Sequence, residues 1–406
     1  MSLKLAERVA RLKPSASIAA KKKVTELLAS GRSVVDFTIG EPDLDTPPHI
    51  IDAAIAAMRK GDTHYTATAG TPELREAICA KLERENGVRY RPDDIVVGCG
   101  AKQLIFEAFA ATLSQGDEVI VPAPHWVSYP DIVGVNEGVP IVVACGENVG
   151  FKLTPAALEK AITPRTRWLI LNSPNNPSGA VYSREEMREL TDVLKRHPNV
   201  WLMTDEIYEH LVYGGRASAS PVQIAPELAA RTMIVNGVSK AYAMTGWRVG
   251  YAAGPKDLVD AVTKLLGQST TCASSVSQAA ALAALTGDQS HIEQTRRLYA
   301  TRRVRMIELL EGTPGLRLSK PDGAFYLYPS VAGLIGRKTT SGYVLKDDLD
   351  VALYLLDVAN VAVMDGTSYG LSPYLRLSFA TSMSAIELGC ANIRKACEAL
   401  FDDRTR

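Results

Sequence analysis

The stretch NGVSKAYAMTGWRVGYAAG, residues 236–254, decides how the rest of the chain is read. One lysine, Lys240, stands between two apolar runs, Met233–Val235 and Val249–Ala253, and each run reads as a buried strand. A lysine in that setting is costly to bury as a cation, so its pKa falls or it finds a partner. Amines of this kind are the ones used for covalent chemistry with carbonyl compounds. Further along, Arg248 offers a fixed planar cation suited to a phosphate. Taken alone, the pair reads equally as two surface cations on a loop, so the wider chain has to arbitrate.

Outward from this stretch the chain alternates helix and strand from about residue 49. Apolar runs fall at Ile95–Val97, Glu118–Val121, Ile141–Val143, Trp168–Leu171, Val200–Met203 and Thr232–Val235, with helical patterns such as Lys102–Leu113 and Arg184–Lys195 between them. That alternation predicts an α/β unit around a mainly parallel sheet. Ligands of such sheets bind beyond the carboxyl ends of the strands. The chemically interesting residues fall there: Gly98–Lys102, Trp126, Asn172–Gly179, Asp205–Tyr208 and Asn236–Lys240.

The two ends read differently. Residues 15–30 predict a helix after Pro14, followed by a short strand, Val34–Ile39, and the proline-rich turn GEPDLDTPPHI, a candidate hinge. Beyond residue 290 an arginine-rich helix runs to Glu311. GAFYLYP, Asp347–Val358, VAVMDG and YLRLSFA then predict a small α+β unit closed by a last helix.

Composition narrows the function classes. At 406 residues there is room for two domains. Lysine plus arginine equals aspartate plus glutamate, 45 each, which gives no basic excess for nucleic acid. Six scattered cysteines without a C-x-x-C pair fit reduced thiols in a cytoplasm and no zinc site. No secretion signal and no membrane span is expected.

The candidate site has three parts. IVVGCGAKQLIFEAF is a strand, a glycine turn and a helix, whose free N-terminal N–H groups suit a phosphate. Its Gly98-Cys99-Gly100 also invites a dinucleotide reading. That reading fails for want of a third glycine and of a later acidic residue at the usual spacing. Asp205 follows an apolar strand in TDEIYEHLVY, Trp126 lies in PHWVSYP, and Asn176 in NSPNNPSG. Singly these would be a helix cap, a core tryptophan and a turn asparagine; together they cluster at successive strand ends. Arg376 sits between apolar neighbours in YLRLSFAT and needs a partner, for which a carboxylate is the natural choice.

The string from Gly237 through Ser239, Lys240, Ala243–Arg248 and Gly250 resembles the lysine signature of the aspartate aminotransferase family, and GEPD after a strand is typical of aminotransferases. The resemblance covers almost the whole chain and is closest to the bacterial subgroup that includes aspartate/prephenate aminotransferases. It implies a fold type I transferase dependent on pyridoxal phosphate (PLP). The large domain would be 49–295, with a small domain built from 1–48 and 296–406. Lys240 would carry the cofactor covalently and act as the acid–base group. Gly100, Ala101, Lys102, Ser239 and Arg248 would hold the phosphate end, and Tyr65 would reach the phosphate of the neighbouring subunit in a homodimer. Asp205 would pair with the pyridinium nitrogen, Tyr208 and Asn176 would face the phenolic oxygen, and Trp126 would stack on the ring. Arg376, with Gly40 nearby, would bind the α-carboxylate, and Lys102 and Lys13 the distal one.

The implied reaction is ping-pong transamination between L-aspartate or L-glutamate and 2-oxoglutarate or oxaloacetate, with prephenate as a further acceptor. Alternatives within the resemblance are aromatic or alanine specificity, or a β-lyase or decarboxylase on the same fold. A PLP-binding regulator would need a DNA-binding module, for which there is no spare basic segment. His125, Asp365 and Tyr369 depart from the residues usual in the subgroup.

Overall fold

The computed structural model describes residues 4–12, 24–27, 29 and 31–402. The helix expected over 15–30 falls mostly outside them; 24–27 are helical. Strand β1 is shorter than Val34–Ile39 and covers only Val35–Asp36. It ends where the Asp36 carboxylate turns back to accept from the Thr38 N–H and hydroxyl, at 2.8 and 2.6 Å.

The centre is a sheet of seven strands: β2 Ile95–Gly98, β3 Glu118–Ala123, β4 Val139–Ala144, β5 Thr166–Asn172, β6 Trp201–Asp205, β7 Thr232–Gly237 and β8 Gly250–Ala253. Their order is β2-β8-β7-β6-β5-β3-β4. Neighbours from β7 to β4 pair in parallel; β8 runs against both β2 and β7. Both faces are covered, as expected for a sheet with continuous apolar strands. On β7, Ile234 packs into one core while Met233 and Val235 pack into the opposite one. At the edge, β4 leaves Val139 and Val142 exposed.

One rung of this sheet builds the site. Gly98, Gly250 and Gly237 lie opposite one another across β2, β8 and β7. A Cβ on Gly250 would stand 2.2 Å from the Ala101 nitrogen, so only glycine lets the helix Ala101–Thr112 begin against the sheet.

The C-terminal part has its own core. The helix Ser290–Leu310 leads into it, and the antiparallel sheet β11-β12-β9 follows, with β9 Tyr326–Leu327, β11 Met364–Asp365 and β12 Leu375–Ser378. The helices Asp348–Ala359 and Met383–Ala399 close it. The N-terminal β1 pairs in parallel with β10, Val361–Ala362, so the two ends of the chain meet here. Among the described residues no helix is long and apolar enough to cross a membrane. All six cysteines are unpaired.

Candidate active site

A cleft of about 320 Å³ opens at the carboxyl ends of β2, β5, β6 and β7 and is closed from the other side by β12 and the Thr38–Glu41 segment. Lys240 sits in the turn that leaves β7. Its Nζ donates to the Gly40 carbonyl at 2.6 Å and lies over the rings of Tyr208 and Phe325, 5.6 and 5.9 Å from their centroids. Burial, then the nearby Arg376 cation, bring its pKa down to about 8. Glu41 and Asp205 act the other way without cancelling this.

At one end lies the N-terminus of the helix Ala101–Thr112. No side chain caps it and its first turn holds no acid, so its N–H groups are left for a ligand. Arg248 adopts φ 57°, donates to the carbonyls of Thr245 (2.8 Å) and Cys99 (3.3 Å), and lies against Gly100. A Cβ on Gly100 would come within 2.5 Å of that guanidinium. Ser239 lines the same end. Lys102 turns away from it: its Nζ stands over the Trp126 ring, 4.7 Å from the centroid. Burial and Arg248 lower its pKa.

Asp205 lies at the end of β6. Its carboxylate accepts from the Tyr129 hydroxyl at 2.6 Å and the Ile207 N–H at 3.2 Å. Among the described residues no lysine or arginine pairs with it, and burial raises its pKa. Asn172 donates to the Asp205 carbonyl (3.0 Å) and accepts from the Asn176 N–H (2.9 Å), which links the ends of β5 and β6. The Tyr208 and Tyr326 hydroxyls share a hydrogen bond of 2.9 Å.

Arg376, on β12, is buried at 3 % exposure. Its Nη1 donates to Asn176 Oδ1 at 3.2 Å and its Nη2 to the Thr38 carbonyl at 2.6 Å, while Nε has no partner among the described residues. No carboxylate pairs with it among the described residues. The structural salt bridge that would otherwise explain a buried arginine is therefore missing. Gly40 borders this corner; a Cβ there would be 4.0 Å from both terminal nitrogens.

The cleft thus brings together Gly40, Ala101, Lys102, Trp126, Asn176, Asp205, Tyr208, Ser239, Lys240, Arg248 and Arg376, with Gly100 directly behind Arg248. Tyr65 does not line it and is 85 % exposed. Lys13 lies outside the described residues. Sequence reasoning missed Tyr129, Tyr326 and Glu41. Tyr129 was legible as the residue one helical turn after Trp126 in PHWVSYP. Glu41 lines the cleft and accepts from the Thr245 hydroxyl at 2.8 Å, a contact between distant segments that no local pattern announces.

Fold and cleft together define a class of protein. Residues 32–398 match the family aminotransferase class I and II, and the chain belongs to that family. It is 49% identical over 396 residues to the aspartate/prephenate aminotransferase of Cereibacter sphaeroides, covering 98% of this chain and 99% of that one. It is 48% identical over 395 residues to a probable aspartate/prephenate aminotransferase of Rhizobium leguminosarum bv. phaseoli, covering 97% and 99%. Among solved structures, the aspartate aminotransferase of Rhizobium meliloti superposes with a TM-score of 0.96 at 46% identity, covering 98% of this chain and 100% of that one. The Thermus thermophilus aspartate aminotransferase with maleate gives 0.88 at 41% identity, covering 100% of both.

Proposed function

We propose that the chain is a PLP-dependent aminotransferase that moves an amino group between a dicarboxylic amino acid, L-aspartate or L-glutamate, and 2-oxoglutarate or oxaloacetate. One observation carries this reading. An amine with a pKa near 8 and a buried arginine without a carboxylate share one cleft. The names of the relatives support aspartate as donor and prephenate as a further acceptor. The maleate in the Thermus structure supports a dicarboxylate.

The residues present fit the cofactor. A phosphate would meet the uncapped helix start at Ala101, Ser239 and Arg248, whose guanidinium keeps its place only because Gly100 has no Cβ. Asp205, buried without a cation, lacks only the positive charge that a pyridinium would supply. Trp126 and the Tyr208 hydroxyl line the space between. Bound there, PLP supplies an electrophilic carbon for amines and a ring that withdraws the electron pair left when a proton departs. Arg376 would clamp the α-carboxylate through its free N–H groups and so fix which bond faces Lys240. Lys240 Nζ, which burial and Arg376 favour in its neutral form, would accept the substrate's α-proton and hold it for return. Lys102, already turned from the phosphate end toward Trp126, is placed to meet the distal carboxylate. Lys13 remains the second candidate for that role.

The large and small domains read from the sequence would meet at this cleft. The exposed phenol of Tyr65 suits a homodimer in which it reaches the phosphate of a second copy. A cytoplasmic location goes with this reading.

The test is an assay of oxaloacetate formed from aspartate and 2-oxoglutarate, run beside ammonia and carbon dioxide release. Lys240→Ala should lower turnover by at least roughly 10²–10⁴-fold. Borohydride should fix PLP to the parent chain and not to the variant. Ammonia or carbon dioxide as the main product would replace transamination by elimination or decarboxylation.

A further inference from the structure

The guanidinium of Arg376 lies over two tyrosine rings, Tyr326 at 4.5 Å and Tyr369 at 5.1 Å from the centroids. Tyr326 belongs to the neighbouring strand β9 and arrives with the sheet. Tyr369 comes from a loop, and that loop is fastened on all sides. Asp365 accepts from the N–H and hydroxyl of Ser368, both at 2.8 Å. Asp348 accepts from the N–H and hydroxyl of Thr367, at 2.9 and 2.7 Å. The Tyr369 N–H closes a turn onto Gly366 at 2.8 Å. The last fastening comes from the segment that carries Trp126: the His125 N–H donates to the Tyr369 carbonyl at 2.9 Å. Gly370, at φ +79°, lies so close to the His125 ring that a Cβ would stand 2.5 Å from Nε2. His125 is the residue before Trp126.

We propose that Tyr369 is a positioning residue for Arg376, and that the clasp between His125 and the 369–370 loop sets the plane in which Arg376 meets a substrate carboxylate. The proposal rests on Arg376 being the α-carboxylate site. An arginine donates only from its edge; its faces carry no donors. Rings packed against the guanidinium exclude water and restrain it through cation–π attraction. One N–H of Nη1 and one of Nη2 are spent on Asn176 and Thr38. Each terminal nitrogen then keeps one donor, beside the Nε–H that no described residue meets, and these are the donors left for a carboxylate. Without Tyr369 the guanidinium would keep its two hydrogen bonds and the Tyr326 ring but lose the second ring, and its remaining donors would be held less firmly. The clasp also ties the loop bearing Trp126 to the loop that steadies Arg376, so the cofactor face and the carboxylate clamp keep one relative position.

The test compares Tyr369→Leu, Tyr369→Phe and Arg376→Ala in the PLP-loaded protein, with maleate binding measured by calorimetry beside steady-state kinetics, PLP retention and Tm. Tyr369→Leu should weaken maleate binding roughly two- to thirtyfold and raise the KM for aspartate by a similar factor. The kcat should change less, with PLP retained. Tyr369→Phe, which keeps the ring, should recover most of the binding. Unchanged maleate affinity in Tyr369→Leu would overturn the proposal, as would parallel losses of PLP and Tm, which mark a residue serving only the fold. A Phe variant as weak as the Leu variant would assign the effect to the hydroxyl and overturn the ring's role. If Arg376→Ala itself binds maleate normally, the carboxylate reading of the cleft falls first. If it loses maleate while Tyr369→Leu keeps it, only the positioning role falls.

Discussion

Two buried cations in this molecule are treated in opposite ways. Lys81, with no exposure, is surrounded by acceptors that match it. It pairs with Glu209 and with Glu85 at 3.5 Å, and donates to Asn86 Oδ1 at 2.7 Å. Burial pulls its pKa down, but Glu209 and Glu85 pull harder, and the pKa ends above that of an ordinary lysine. Glu209 in turn accepts from Asn236 on β7 at 2.6 Å. Among the described residues Arg376 has two neutral acceptors, an unpartnered Nε and two aromatic rings. Lys240, nearby, loses its charge more easily than an ordinary lysine. A cation that serves the fold is neutralised by the fold. One left without a counter-charge beside a cleft is reserved for a ligand.

The largest expected effect breaks this contrast directly. Lys81→Met would leave Glu209 buried without its cation and should cost about 3–5 kcal/mol of stability. Arg376→Met strands no charge. Its two acceptors are neutral and border a cleft wide enough for water, so the loss should stay within about 1–2 kcal/mol. Turnover of aspartate should nevertheless fall roughly a hundredfold or more in Arg376→Met, since each charge-assisted hydrogen bond is worth about 1.5–3 kcal/mol. Denaturant unfolding of the cofactor-free proteins measures the first pair of numbers. Equal destabilisation by the two changes would erase the distinction between fold cation and ligand cation.

The two regions were unequally legible. The apolar runs placed β2 to β7 within a residue or two; in all of them but the edge strand β4, near-continuous burial leaves a local signature. Lys240, Arg248 and Asp205 stood out as polar groups at the ends of such runs. The direction and place of β8 did not, since the insertion of an antiparallel strand between β2 and β7 is decided by pairing across the chain. Lys81 was invisible for the same reason. In LREAICAKLEREN it reads as one more charge on a solvated helix face, and its partner Glu209 lies 128 residues away. Tyr369 was noticed only as an unusual residue; its contact with Arg376 depends on how the 366–370 loop folds back.

A smaller effect sharpens the contrast from the side of Lys240. The rate at which the cofactor-free protein captures PLP should follow the neutral amine, with a midpoint near pH 8 and a roughly tenfold fall for each pH unit below it. Burial is the first cause of that low pKa and Arg376 the second, so Arg376→Met should move the midpoint upward without restoring an ordinary lysine. A midpoint near 10 in the parent would mean that Lys240 is as well served by its surroundings as Lys81.

The last expected effect, read as a slope against pH, concerns the limit of the Lys81 network itself. A third carboxylate, Glu206, is buried beside Glu209 and is held by the Thr204 hydroxyl at 3.1 Å and the Asn86 amide at 3.4 Å. One lysine cannot neutralise all of these acids. Burial first, and repulsion from Glu209 second, raise the Glu206 pKa from 4.5 to about 7. Between those values the folded chain holds a proton that the unfolded chain has released. Stability contributed by this group is therefore lost as pH rises from about 4.5 to 7 and is flat on either side, with a slope of at most about 1.4 kcal/mol per pH unit. Glu206→Gln fixes the neutral form. Relative to the parent, the variant should be more stable at pH 8 than at pH 5, and its unfolding free energy should lack that part of the slope. Urea unfolding at a series of pH values measures both. If parent and variant keep the same slope across this window, Glu206 is ionised in the folded chain, and Lys81 neutralises more charge than its pairings with Glu209 and Glu85 suggest.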